Sequence, residues 1–145
     1  MSVPAPAAVA EAFRALQAGD LDAALAHARR ALAADPGNAR AYLAAGVALR
    51  LAKRHAEARE ALERAQQLDP RDHGAPYEAG LLAQQEGRLD AALEHFERSA
   101  RARPEFVAAP FAAGIVHAGR KDWSPAAVCF RRVLEIRPGE PLAML

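Results

Sequence analysis

The sequence predicts an all-α fold, a solenoid of stacked helix-turn-helix units, and three observations carry that prediction. Four prolines, Pro36, Pro70, Pro104 and Pro138, stand 34 residues apart. The six residues APYEAG at 75–80 return as APFAAG at 109–114, again offset by 34. Small residues keep the same period: Ala24, Ala58, Ala92 and Ala126, then Gly46, Gly80 and Gly114, with Ala12 in the corresponding place of the first unit. Self-similarity at a fixed period of this size marks a repeat architecture, in which each unit buries its apolar face against its neighbours.

Aligned on the prolines, the chain divides into units at 5–38, 39–72, 73–106 and 107–140. Each begins with an Ala-rich helical stretch, breaks, and runs through a second helical stretch to its proline, which ends the helix by removing a donor and clashing with the preceding turn. In the first unit the break is AGDLDAA at 18–24, where Asp20 and Asp22 flank a helix start and are explained by capping and the helix dipole. In the second it is AKRHAEA at 52–58 and in the third EGRLDAA at 86–92. The fourth breaks at GRKDWSPAA, 119–127, with Trp123 expected to pack at the start of the last helix. Pro76 and Pro110 fall near the first turn of a first helix, where a missing N–H costs little. Large apolar residues on the second helices, Leu62, Phe96 and Phe130, with Ala28 in the first unit, are placed to fill the gap beside each small-residue contact.

The bulk properties exclude several classes of function. The chain has 145 residues, enough for one domain with an apolar core. Nineteen basic and eighteen acidic side chains leave a net charge of +1, which argues against bulk capture of nucleic acid. No apolar run is long enough to span a membrane, and the N-terminus lacks the pattern of a signal peptide. The lone Cys129 demands no oxidising compartment, so a cytoplasmic protein is expected. By unit the net charges are −1, +2, −2 and +2, an alternation that suits attraction between neighbours. Lys53, Arg54, Arg88, Arg120 and Lys121 gather at the intra-unit turns; solvated turn charges are the expected role, a rim for an acidic partner the alternative.

The pattern resembles the tetratricopeptide repeat, a 34-residue helix–turn–helix unit. The second unit carries the signature through Tyr42, Ala45, Gly46, Leu49, Ala58, Leu62, Ala65 and Pro70. The third carries Pro76, Gly80, Ala92, Phe96 and Pro104, and the fourth Pro110, Gly114, Ala126, Phe130 and Pro138; the first is the most divergent. The resemblance implies a right-handed superhelix whose first helices, about 14 residues or ~20 Å each, line the concave side. It makes 1–145 a single repeat domain, with 141–145 resembling the start of a fifth first-helix.

The concave positions of that family are apolar here: Val9 and Phe13, Leu43 and Val47, Tyr77 and Leu81, Phe111 and Ile115. Each pair is four residues apart on one helix face, and Arg50 and Gln84, with Arg40 and Gln85, add polar points at the edges. Such a stripe is expected to bind an extended or helical apolar peptide of a protein partner. Covering ~300 Å2 at ~25 cal/mol per Å2 gives a gross ~7 kcal/mol before association costs, which suits micromolar binding. The Lys/Asn/Arg clamp of chaperone-tail binders is missing: its places hold Val9, Phe13, Ala44, Gly74 and Glu78. So is the Asn ladder of O-linked glycosyltransferase arrays, where Ala10, Ala44, Glu78 and Ala112 stand instead.

No catalytic constellation is found, and no cofactor or metal is expected. The histidines 27, 55, 73, 95 and 117 lack the i, i+4 pairing of a helical zinc site. His27 and His95 are expected at the outer surface, and His117 partly buried and satisfied. Cys129 reads as a small apolar residue. Two alternatives to a free-standing scaffold follow from the last unit, whose Ala126, Phe130, Val133 and Leu134 face is expected to lack a cap. The array could be the recruiting region of a longer enzyme such as a transferase, or that end could pair with another copy.

Overall fold

The computed structural model describes residues 4–138. Among them are eight α-helices and no strand: α1 (Ala5–Gln17), α2 (Leu21–Ala34), α3 (Ala39–Leu51), α4 (His55–Leu68), α5 (Gly74–Gln85), α6 (Leu89–Ala102), α7 (Ala108–Gly119) and α8 (Trp123–Ile136). The second helices all have 14 residues; the first helices, at 12 or 13, are slightly shorter than the sequence suggested. The expected start of a fifth first-helix at 141–145 lies outside the described residues.

The turns repeat as faithfully as the helices. Residues 19, 53, 87 and 121 all have left-handed backbone: Gly19 and Gly87, but also Lys53 at φ 63° and Lys121 at φ 62°. A lysine pays a steric penalty there that glycine does not. Asp20 caps α2 by accepting from the Ala23 N–H at 3.1 Å. Asn38 caps α3 through Ala41 at 3.0 Å, and Asp72 reaches Ala75 of α5 at 3.0 Å. The equivalent residue before α7 is Phe106, which cannot cap.

Small and large residues interlock within each hairpin. A Cβ added at Gly46 would lie 2.6 Å from Leu62 Cδ2, and one at Gly114 2.6 Å from Phe130 Cε1; Gly80 meets the Phe96 ring in the same way. In the first hairpin the pair is Ala12 and Ala28, both fully buried. Three apolar clusters follow one another along the array, around Ala5, Val9 and Ala41, around Leu43, Leu49 and Leu62, and around Phe96 and Val116. Successive first helices, α1 with α3 and α3 with α5, pack more closely than the second helices do, so they form the inner, concave side of a right-handed α-solenoid.

Ion pairs follow the charge alternation. Arg50 binds Glu78, Arg59 binds Glu86 at 2.5 Å, and Arg120 binds Asp90 at 2.7 Å. In each, an arginine of a positive unit takes a carboxylate of the negative third unit. Ser99, fully buried on α6, donates its hydroxyl to the His73 carbonyl at 2.8 Å and ties α6 to the turn before α5.

Candidate functional site

The apolar residues at the first-helix positions lie at different depths. Val9 and Leu43 are 7% exposed and belong to the core; Leu43 Cδ2 would stand 3.3 Å from a Cβ on Gly74. Neither offers much surface to a ligand, a correction to the uniform stripe read from the sequence. Its cause is local: with Gly74 opposite, the Leu43 side chain can sink between α3 and α5. Phe13, Val47, Tyr77, Leu81 and Phe111 are half-buried, and Ile115 is 45% exposed. Phe111 leans on Phe130 at 6.0 Å between ring centroids.

Tyr77 sits in an aromatic group that extends beyond the periodic positions. Its ring meets Phe106 edge-on at 5.2 Å and lies 5.9 Å from Phe96, while Phe106 also meets His73 at 4.5 Å. Phe106 stands outside the periodic apolar set, at the turn position where Asn38 and Asp72 act as caps. The break in that polar pattern, read against the 34-residue frame, was the signal. Burial, and then the charge of Glu78, raise the Tyr77 phenol above its ordinary value, so it stays a neutral hydrogen-bonding group at physiological pH.

Arg50 is not a free polar point on the edge. Its Nε and Nη2 donate to Glu78 Oε2 at 3.1 and 2.9 Å, and its Nη1 donates to Gln85 Oε1 at 3.3 Å. The side chains are only 12% and 18% exposed, so the pair is a partly desolvated tie between α3 and α5. Burial outweighs Arg50 in setting the Glu78 carboxyl, which titrates above its ordinary value. Gln84 is half-buried beside this tie in sequence.

Arg40 differs. Its guanidinium stacks over the Phe13 ring, 4.7 Å from the centroid, and no carboxylate among the described residues pairs with it. Beside it, Pro6, Val9, Ala10, Phe13, Asn38 and Arg40 line an open, mostly apolar depression of about 570 Å3.

The turn cations are largely engaged. Arg54 is held by both oxygens of Glu57 at 2.9 and 2.7 Å, Arg88 by Glu86 at 3.4 Å, and Arg120 by Asp90 and by Asp122 at 3.5 Å. His95 is half-buried rather than at the open surface, and burial, then Arg98 and Arg88, lower its pKa. His117 Nδ1 is buried without a hydrogen-bond partner, its nearest carboxylate being Asp122 at 3.9 Å. Cys129 is half-buried, and burial pushes its thiol up, away from thiolate reactivity. No group of three metal-ligating side chains gathers among the described residues, and no described helix is long and apolar enough to cross a membrane.

At the C-terminal end the expected bare face is redrawn. Ala126 and Val133 of α8 are buried, whereas Trp123 is 65% exposed, Leu134 43% and Ile115 45%. The reason lies in the repeat. Leu89 and Leu81, the equivalents of Trp123 and Ile115 one unit earlier, are half-covered as part of the cluster with Ala112 and Val116 of α7. No described helix follows α8 to do the same.

Comparison with known proteins agrees with this geometry. The tetratricopeptide repeat profile matches residues 9–73 and 77–141. Among solved structures, PilF of Pseudomonas aeruginosa superposes with a TM-score of 0.86 at 22% identity, covering 94% of this chain and 63% of that one. MamA of Desulfovibrio magneticus gives 0.79 at 21% identity, over 94% and 77%. A mutant O-GlcNAc transferase of Thermobaculum terrenum gives 0.74 at 22% identity, over 78% of this chain but 22% of that one. Among curated proteins none matches by sequence.

Proposed function

Since the chain belongs to the tetratricopeptide repeat family, we propose that it is a non-catalytic protein-interaction scaffold whose concave side holds an extended or helical apolar segment of a partner. The observation that supports this is the set of first-helix side chains left over from the core: Phe13, Val47, Tyr77, Leu81, Phe111 and Ile115 keep accessible apolar surface on the inner side. Arg50 and Gln84 border it, and Val9 and Leu43 form its floor. A cytoplasmic setting goes with this reading.

Replacing Leu81 and Ile115 by glutamine, and in a second variant Tyr77 and Phe111 by serine, is expected to abolish capture of the partner in a pull-down while circular dichroism keeps its helical signal. Unchanged capture by both variants counts against the groove. A recruiting role inside a longer transferase is the alternative, supported by the match to part of the Thermobaculum chain.

A second reading rests on the separate exposure of Trp123 and Leu134: the C-terminal repeat pairs with another copy of the chain. Sedimentation equilibrium should then show association that Trp123→Gln with Leu134→Gln removes. A strict monomer at high concentration overturns it.

A further inference from the structure

We infer that the N-terminal end of the concave groove recognises a partner segment in which a carboxylate lies within one or two residues of a large apolar side chain. The apolar side chain enters the depression between α1 and α3, and the carboxylate is taken by Arg40 and Asn38. The inference rests on the groove reading above and specifies its ligand.

The depression supplies the first half of the argument. Its wall is Pro6, Val9, Ala10 and Phe13 of α1, and its volume of about 570 Å3 is ample for a leucine, methionine or phenylalanine side chain. Val9, too deep to be a contact on an open stripe, is well placed as the floor of a pocket. Val9 and Phe13, two of the places where the chaperone-tail clamp would stand, are apolar in this chain. Any charge recognition has to come from elsewhere on the rim.

The rim supplies the second half. Arg40 is exposed, and its guanidinium lies over the Phe13 ring, which fixes the plane while leaving the N–H edges available. A carboxylate matches those edges in a two-point fork. Asn38 is held by its cap bond, with Oδ1 accepting from Ala41 N–H at 3.0 Å. Its amide NH2, two donors at the same depression, has no partner among the described residues. Three donor-bearing edges, two from Arg40 and one from Asn38, thus border an apolar pocket with no acidic residue in its lining. The contrast is direct: Arg50 is already neutralised by Glu78, whereas no carboxylate among the described residues pairs with Arg40.

The test is selection from a phage-displayed library of random 12-residue peptides on the full chain. Parallel panning uses Arg40→Ala, Asn38→Asp and the Leu81→Gln/Ile115→Gln groove variant. Asn38→Asp keeps a capping oxygen for α3 but replaces the amide donors with a negative charge. The expected result is enrichment of Asp or Glu within two residues of Leu, Met, Ile or Phe, lost with Arg40→Ala and with Asn38→Asp. A selected peptide, resynthesised and titrated by fluorescence anisotropy, should bind Arg40→Ala about tenfold more weakly. Its Glu→Gln version should bind both proteins alike. Amidating its C-terminus tells whether the carboxylate is a side chain or a chain end. Apolar motifs without acid enrichment, lost only in the groove variant, overturn this inference and leave the groove reading standing. Motifs enriched equally on every variant, or no enrichment at all, overturn both.

Discussion

Truncating Phe96 to alanine is expected to lower the unfolding free energy by about 3–5 kcal/mol, the usual cost of deleting a large aromatic side chain from a packed core. Phe96 is 1% exposed, and the buried residues of its cluster, Ala83, Ala92, Ala112 and Val116, are too small to fill the space, while Tyr77, Leu81, Leu89 and Leu93 at its edge can relax into it only in part. Its ring fills the place where Gly80 has no Cβ. Gly80→Ala alone should therefore cost about 1–3 kcal/mol by overpacking. The double variant recreates the Ala12/Ala28 pair of the first hairpin and should cost clearly less than the two singles added, because each change relieves the other. Urea unfolding followed by circular dichroism measures all three. Strict additivity would show that Gly80 and Phe96 do not lean on one another. Since stability in such an array is transmitted between neighbours, Phe96→Ala should also broaden the transition, as the hairpins on either side begin to unfold separately.

The tie between Arg50 and Glu78 gives the second large effect. Glu78→Ala leaves the Arg50 guanidinium, 12% exposed, without its counter-charge. Removing one member of a fully buried pair costs about 3–5 kcal/mol, and the residual water access here reduces that to about 2–3 kcal/mol. Replacing both partners, Arg50→Met with Glu78→Leu, should be close to neutral or stabilising, because the apolar pair needs no desolvation of charge. The sign of the pH dependence follows from the same balance. Burial, more than Arg50 can offset, raises the Glu78 carboxyl in the folded chain. Between the ordinary carboxyl value and this raised one, the unfolded chain has released the proton while the folded chain retains it. Stability from this group is thus full below the ordinary value and falls as pH rises through the raised one. Denaturation curves across the acid range should show the fall in the wild type and lose it in Glu78→Gln. A rise over that interval would mean that Arg50, not burial, governs the group.

The apolar first-helix positions were legible in kind but not in depth. The positions of Tyr77, Leu81, Phe111 and Ile115 follow from counting along a 34-residue frame, and their apolar character is plain in the sequence. That Val9 and Leu43 sink while Ile115 stands clear depends on what lies across the gap, a glycine beside Leu43 and no described helix beyond α8. The same holds for Trp123, expected to pack and found 65% exposed. Phe106 lies off the periodic apolar positions, at a turn where it breaks the capping pattern set by Asn38 and Asp72.

By itself the sequence determined the helices, their pairing into hairpins and the residues that let them touch, since a strict period repeats the same steric solution wherever it recurs. It also set the sign of each unit's charge. The tertiary structure alone decided how the cations are engaged, because pairing depends on side chains brought together from separate units: Arg50 meets Glu78 28 residues away, while among the described residues Arg40 meets the Phe13 ring and no carboxylate. Periodicity fixes where a residue points; what waits there is a property of the stacked neighbours, and that is why Arg40 can be read as a ligand contact and Arg50 as a structural tie.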